Sequence, residues 1–562
     1  MIYMRLFILS VRYHLLFVSF AVGVFAGFMS QTASIGAPNG GMHIMTPEQY
    51  GGSPDANDNT AAFEAMISAA KSLGEPVEIR LEAGAFYRVK GKEGRECAVM
   101  ISGARDLTLN GEGATLVITD PSRGGLRTIN CERIWIKNLA IDYDPLPYTA
   151  STVTAVNVEE NWFEIKIEDS YPSPGLPYFS AARSQSGMMV VPQPDGGTRF
   201  GPDVISPESI IETGDGVWRI YPQKHHGGYS DPIGRKRVDV GEQFVYCART
   251  YEQALSSIEC VDLLWENITI YSSPGVSSYP RGNERHTIRG YHVAIKEGRI
   301  FSTNADGIHM RGSRGDVLIE GCSFEGMGDD AINVHSSAMA ISAQPANNQA
   351  EVRKHTYGVR IGDRVVAVNS STAASIGEAE IVNIEDKKDC WILTFDRELI
   401  LPEGNAGNRT KNEHGELVAS VNLYNLDECA SPFIIRDCVF NAFRGRGILV
   451  SAREGVIEDN IFRDQEGWGV VMNYESSRWA EGPIASNITI RNNTFIKPYG
   501  AHQPAIISDI TARSNGAPIM GFFENISIEN NVFYGWEEPI RMRFVNGMMM
   551  ENNEIRPGVM TE

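Results

Sequence analysis

Short apolar runs, nearly every one closed by Gly, Asn or Asp, follow one another through much of the chain. Val77-Glu-Ile-Arg-Leu81, Val99-Met-Ile101, Leu107-Thr-Leu109, Thr115-Leu-Val-Ile118, Ile134-Trp-Ile136 and Leu139-Ala-Ile141 have the composition and length of strands. They lack hairpin signals between them, so the spacing predicts a parallel β-solenoid rather than a sandwich. One helix precedes them: Phe63, Met66, Ile67, Ala70 and Leu73 recur at helical spacing within residues 60–73, with Asp58 or Asn59 placed to cap it.

The later coils align on a phenylalanine. Cys322-Ser-Phe324, Cys438-Val-Phe440, Asn460-Ile-Phe462, Asn493-Thr-Phe495 and Asn531-Val-Phe533 share a Cys or Asn, a spacer and the ring; Ile319, Ile435, Ile457, Ile490 and Ile528 each stand five residues before it. The step from Phe440 to Phe462 is 22 residues, the length of one three-sided coil. Phe and Ile are predicted to stack inside, Asn to ladder its amide from coil to coil, and Cys322 and Cys438 to fill the same column as small apolar groups. Two stretches break the repeat. The predicted plan is an all-β, right-handed parallel β-helix over 45–145, 251–336 and 427–562, carrying inserted β-barrel or sandwich-like domains at 146–250 and 337–426.

A second alignment picks out residues that the solenoid does not need. Asp306-Gly-Ile-His-Met310, Asp330-Ala-Ile-Asn-Val334, Arg446-Gly-Ile-Leu-Val450 and Trp468-Gly-Val-Val-Met472 put Ile308/Met310, Ile332/Val334, Ile448/Val450 and Val470/Met472 on an inward face. The outward columns then read His309, Asn333, Leu449, Val471 and Arg311, His335, Ser451, Asn473. Asp306, Asp330, Arg446 and Trp468 form one column where each strand begins, and Asp329 stands one position before it. Carboxylates on adjacent coils about 4.8 Å apart raise one another's proton affinity, the requirement for a general acid beside a carboxylate base. A lone Asp-Gly is a turn signal; three aspartates converging in two coils are candidate catalytic residues. His309, Asn333, His335, Arg446, Trp468 and Glu475 are candidate substrate-binding residues, with Arg444 a weaker one. Trp468 is either a platform for a sugar ring or a packing residue. Arg446 either binds hydroxyls or offsets the aspartates.

Composition narrows the partners. The formal net charge is −20 and no run of Lys or Arg is present, so nucleic acid is set aside, whereas an anionic sugar needs only one or two local arginines. Eight cysteines without a CxxC pair predict neither a zinc site nor a disulfide framework, and no metal or cofactor is called for. Residues 1–36, with Arg5 and Arg12 before an apolar stretch, read as a signal peptide or an N-terminal membrane anchor, and predict export to a periplasm or outside the cell.

Asn304-Ala-Asp306-Gly and Asp329-Asp330 resemble the Asn-Thr-Asp and Asp-Asp elements of polygalacturonase-like β-helix enzymes, with Ala305 in place of Thr and without Gly-His-Gly or Arg-Ile-Lys elements downstream. Ala305-Asp-Gly-Ile-His309, Phe324-Glu-Gly-Met-Gly-Asp-Asp-Ala-Ile-Asn-Val-His335, Arg446-Gly-Ile-Leu-Val450 and Leu139-Ala-Ile-Asp-Tyr-Asp-Pro-Leu-Pro147 resemble glycoside hydrolase family 110 more closely. That resemblance implies an exo-acting, inverting α-galactosidase for terminal α-1,3-linked galactose in oligo- or polysaccharides. It gives Asp329 the role of acid and Asp306 and Asp330 that of holding and deprotonating the water. Alternatives are another β-helix polysaccharide-degrading enzyme (a polygalacturonase-like hydrolase, or a lyase with Arg446 as base) and a non-catalytic glycan-binding β-helix. A homodimer stays open.

Overall fold

The computed structural model of the chain describes residues 42–192, 198–201, 204–223, 238–354, 358–401, 409–411, 417–476, 479–498, 502–511 and 518–558. The predicted targeting segment, 1–36, lies outside them. The helix forms over Thr60–Leu73 (α1) and ends at Gly74, whose φ of 69° is left-handed. It buries Ala62, Phe63, Met66, Ile67 and Ala70, while Leu73 turns out to be exposed. Asp58 accepts the Thr60 N–H at 3.0 Å; Asn59 is spent elsewhere, accepting from Ser53 N and donating to Arg88 O.

Behind the helix the chain winds into a parallel β-helix. Each later coil contributes three strands, as in Phe433–Arg436, Val439–Asn441 and Ile448–Ser451; the first two belong to a 19-stranded parallel sheet that follows two sides of the coils. The predicted columns are in register. Phe324, Phe440, Phe462, Phe495 and Phe533 are successive partners, with near-parallel rings 4.4–5.3 Å apart. Asn460, Asn493, Asn531 and Asn553 pass side-chain amide bonds of 3.0 Å from coil to coil, and Cys322 and Cys438 occupy the same interior column, buried and free. Near the start of the solenoid, expected pairs of strands are single long ones, Arg105–Ile118 and Glu132–Tyr143. The corner is made inside the strand by Glu112 and Asn138 at positive φ.

Two antiparallel units interrupt the coils. The first is a seven-stranded sheet with its own core around Phe163, Ile165, Trp218 and Phe244; it returns to the solenoid on strand Gln243–Arg249 (β1). The third side of the solenoid then runs through Ser278–Arg281 (β2), Ile308–Arg311 (β3), Ile332–Ala343 (β4), Ile448–Ser451 (β5) and Val470–Glu475 (β6). The far half of β4 leaves the coils and pairs antiparallel with Val421–Asn425, opening the second unit, whose core includes Val365, Ile381, Leu393 and Leu423. A two-residue strand, Glu481–Gly482 (β7), folds back antiparallel onto both β4 and β6.

Candidate active site

Backbone bonds fix the aspartate column. Ser277 N donates to Asp306 O, Gly307 N to Asp330 O, Ala331 N to Arg446 O and Gly447 N to Trp468 O, at 2.7–2.9 Å, so Asp306, Asp330, Arg446 and Trp468 occupy equivalent positions on successive coils. The glycine after three of them has a steric cause. A Cβ on Gly307, Gly447 or Gly469 would lie 2.6–2.7 Å from the ring of Phe324, Phe462 or Phe495. The phenylalanine stack and the site motif are thus two faces of one packing arrangement.

The three aspartates have different partners. Asp306 accepts from His309 Nδ1 at 2.6 Å. Asp330 accepts a bidentate pair of bonds from the Arg446 guanidinium and a third from the Arg446 backbone N–H. Asp329, one residue earlier, meets Arg444 at 3.4 Å and Arg249 at 3.5 Å. It is also the most accessible, its side chain 27% exposed against 8% for Asp306 and 3% for Asp330. Burial opposes charge on Asp329, but Arg444, Arg249, Arg446 and His309 outweigh it and hold its pKa below the usual carboxylate range. Burial pushes Asp330 the other way; Arg446 opposes that shift and the neighbouring charges of Asp329 and Asp306 add to it.

A relay of imidazoles leads away from Asp306. His335 Nδ1 lies 2.8 Å from Ser336 O and therefore carries the proton; its Nε2 is left to accept from His309 Nε2 at 3.0 Å. His309 thus donates from both nitrogens. Burial disfavours its charge, but the bond and charge of Asp306, with Tyr279 and Glu481, raise its pKa to about 9. Burial and the charges of His309 and Arg311 keep His335 neutral, well below the usual histidine range. Among the described residues, His309, His335 and Glu481 are the group whose ligand atoms, within 4.8 Å of one another, could surround a metal ion.

The other predicted residues sort by position. Asn333 and His335 line the outward face of β4, both buried. Trp468 packs against Leu449, Val471 and Ile507, outward residues of three neighbouring coils, with its buried Nε1 lacking a partner among the described residues. Glu475 is turned to the loop that follows it: its carboxylate accepts from Trp479 N and Ala480 N and so shapes the return into β7.

Two residues were missed. Glu481 comes in on β7, takes 3.3 and 3.4 Å bonds from Asn333 Nδ2 and lies 3.8 Å from His335 Nε2. Burial raises its pKa against the pull of His309 and Arg446. Arg249 arrives from the first inserted unit as the last residue of β1. Asn304 holds that junction, donating to Pro147 O and Ala248 O at the two ends of the insertion. Neither belongs to the coil repeat, so no periodicity marked them.

No protein-family model matches the chain. It is similar to curated proteins named alpha-1,3-galactosidase B from Bacteroides thetaiotaomicron, 24% identical with 82% of this chain and 75% of that one covered, and from Phocaeicola vulgatus, 23% identical with 92% and 90% covered. It is likewise similar to alpha-1,3-galactosidase A from Streptomyces avermitilis, 24% identical with 96% and 91% covered. Among solved structures, an exopolygalacturonase from Thermotoga maritima aligns over 93% of both chains with 12% identity and a TM-score of 0.44.

Proposed function

We propose that the protein is an exo-acting glycoside hydrolase of the family 110 kind, releasing terminal α-1,3-linked galactose with inversion, on a right-handed β-helix exported from the cytoplasm. The observation that carries the reading is the division of three carboxylates on two adjacent coils, Asp306 and Asp330 sharing one column and Asp329 directed to Arg249 and Arg444. The similarity to curated α-1,3-galactosidases over most of the chain supports it. An inverting mechanism needs an acid and a base far enough apart to seat a water on the opposite face of the sugar.

In this reading Asp329, the most accessible of the three, protonates the glycosidic oxygen. Asp306 and Asp330 orient the attacking water and take its proton, and Arg446 and His309 fix the geometry of both. The arginines that flank Asp329 make it a strong acid, so the protonated form is populated only in acidic solution and activity declines as pH rises.

Incubation with α-1,3-galactobiose, following the anomeric proton by NMR, tests the reading: β-galactose is the expected first product. Asp329→Asn should lower kcat by about 10²–10⁴ with the fold intact, the range for a lost general acid; full activity in that variant removes Asp329 from the chemistry. Absorbance from an unsaturated product on uronans would point instead to a lyase.

A further inference from the structure

We propose that Glu481 is the specificity-determining residue of this site: its carboxylate accepts the protons of two neighbouring ring hydroxyls on the terminal sugar. The inference rests on the glycosidase reading and adds to it the group that recognises the sugar.

Glu481 is placed with care. The two-residue strand β7 is pinned antiparallel to β4 through Ser336–Gly482 and Ser337–Glu481 partners and to β6 through Glu475–Glu481. The Glu475 carboxylate holds the turn before it, bonding Trp479 N at 2.7 Å and Ala480 N at 3.1 Å. The outcome is a carboxylate laid over the outward face of the strand that carries Asn333 and His335, its side chain only 15% exposed.

Its bonding differs from that of the aspartates. Asp306 has His309 at 2.6 Å and Asp330 has Arg446 as a bidentate partner. Glu481 is met by the amide of Asn333 at 3.3 and 3.4 Å, long contacts for a buried carboxylate, and the His335 Nε2 3.8 Å away carries no proton to give it. Beside it, Asn333 is 2% exposed, its Oδ1 sealed from solvent and without a partner among the described residues, and its Nδ2 is the end turned to Glu481. A largely buried carboxylate with only such long contacts calls for further donors. Sugar hydroxyls are donors, and a carboxylate can take two at once. A site built to accept a hydroxyl proton also discriminates strongly against a sugar that lacks that hydroxyl, because its own acceptors are then left unpaired.

The test is calorimetric titration of galactose and of its 2-, 3-, 4- and 6-deoxy analogues into the wild type and Glu481→Gln, with thermal melting to establish that both are folded. The expected result is at least a tenfold loss of galactose affinity in Glu481→Gln. Removing one of the contacted hydroxyls should cost the wild type a similar factor and the variant much less, since the same bond cannot be lost twice. Unchanged galactose affinity in folded Glu481→Gln, or equal losses in both proteins for every deoxy sugar, overturns the proposal. Should the variant not fold, the wild type alone decides: no deoxygenation costing tenfold overturns it. Galactobiose hydrolysis is measured separately. Hydrolysis that ignores Glu481 removes this inference and leaves the glycosidase reading; galactose held through Glu481 without hydrolysis does the reverse.

Discussion

Asp329 lies between Arg444 and Arg249, and both can be removed one at a time. Replacing either by Gln takes away a positive charge that favours the carboxylate, so the pKa of Asp329 should rise and the alkaline limb of kcat/KM move to higher pH. A limb that stays in place would separate Asp329 from the titration. His309 makes a second claim. Its folded pKa of about 9 exceeds its unfolded value of 6.5, so its pairing with Asp306 stabilises the protein fully below 6.5 and ceases to do so as pH rises through 9. Melting temperature against pH should fall across that window, and less steeply in His309→Gln. The aspartates, His309 and Asn333 were legible because they recur at fixed offsets in aligned coils. Arg249 and Glu481 were not, because each reaches the groove on an antiparallel strand whose pairing is set by long-range contacts that leave no local pattern.

The coil is the unit whose energetics the columns describe. Phe462 stacks between Phe440 and Phe495 at 4.4 and 4.6 Å and also lies under Gly447 of the site motif. Phe462→Ala should therefore destabilise by about 3–5 kcal/mol, and it should lower activity as well as melting temperature because the cavity opens beneath the Arg446 turn. Asn493→Leu makes the core more apolar yet should also destabilise. It breaks the bonds to Asn460 and Asn531 and leaves the buried N–H of Asn460 unpaired, at about 1–3 kcal/mol for each such group. The recurring phenylalanine, with Ile five residues before it, makes these columns readable from the sequence. The corners at Glu112 and Asn138 were less so: an isolated positive φ inside a continuous strand looks, in sequence, like a loop between two strands.

At the scale of the molecule, the second inserted unit is tied to the solenoid by a buried network. Arg314 bonds Asp363 through both terminal nitrogens and Glu428 at 2.6 Å, and Asn425 bonds Asp363 at 2.7 Å. Burial raises the pKa of Glu428 to about 8, against the pull of Arg314. A carboxyl whose folded pKa exceeds its unfolded value near 4.5 favours the fold below 4.5 and loses that contribution as pH passes 8. Glu428→Gln should thus flatten the loss of stability between pH 5 and 8, whereas Arg314→Met should unfold the junction by leaving two acids unpaired. The insertions could be located by where the repeat failed; which of their residues return to the groove could not.

One small contact, Arg249 against Asp329, depends on how the first inserted unit seats on the coils. The sheet that ends in Arg249 packs one face on its own core and the other, through Tyr148, Val190, Val245 and Cys247, on Phe301 of the coils, so the charge beside Asp329 is held in place by an apolar seam. Phe301→Ala, which thins that seam, should therefore shift the pH dependence of kcat/KM toward that of Arg249→Gln, as pH–rate profiles of the two variants would show.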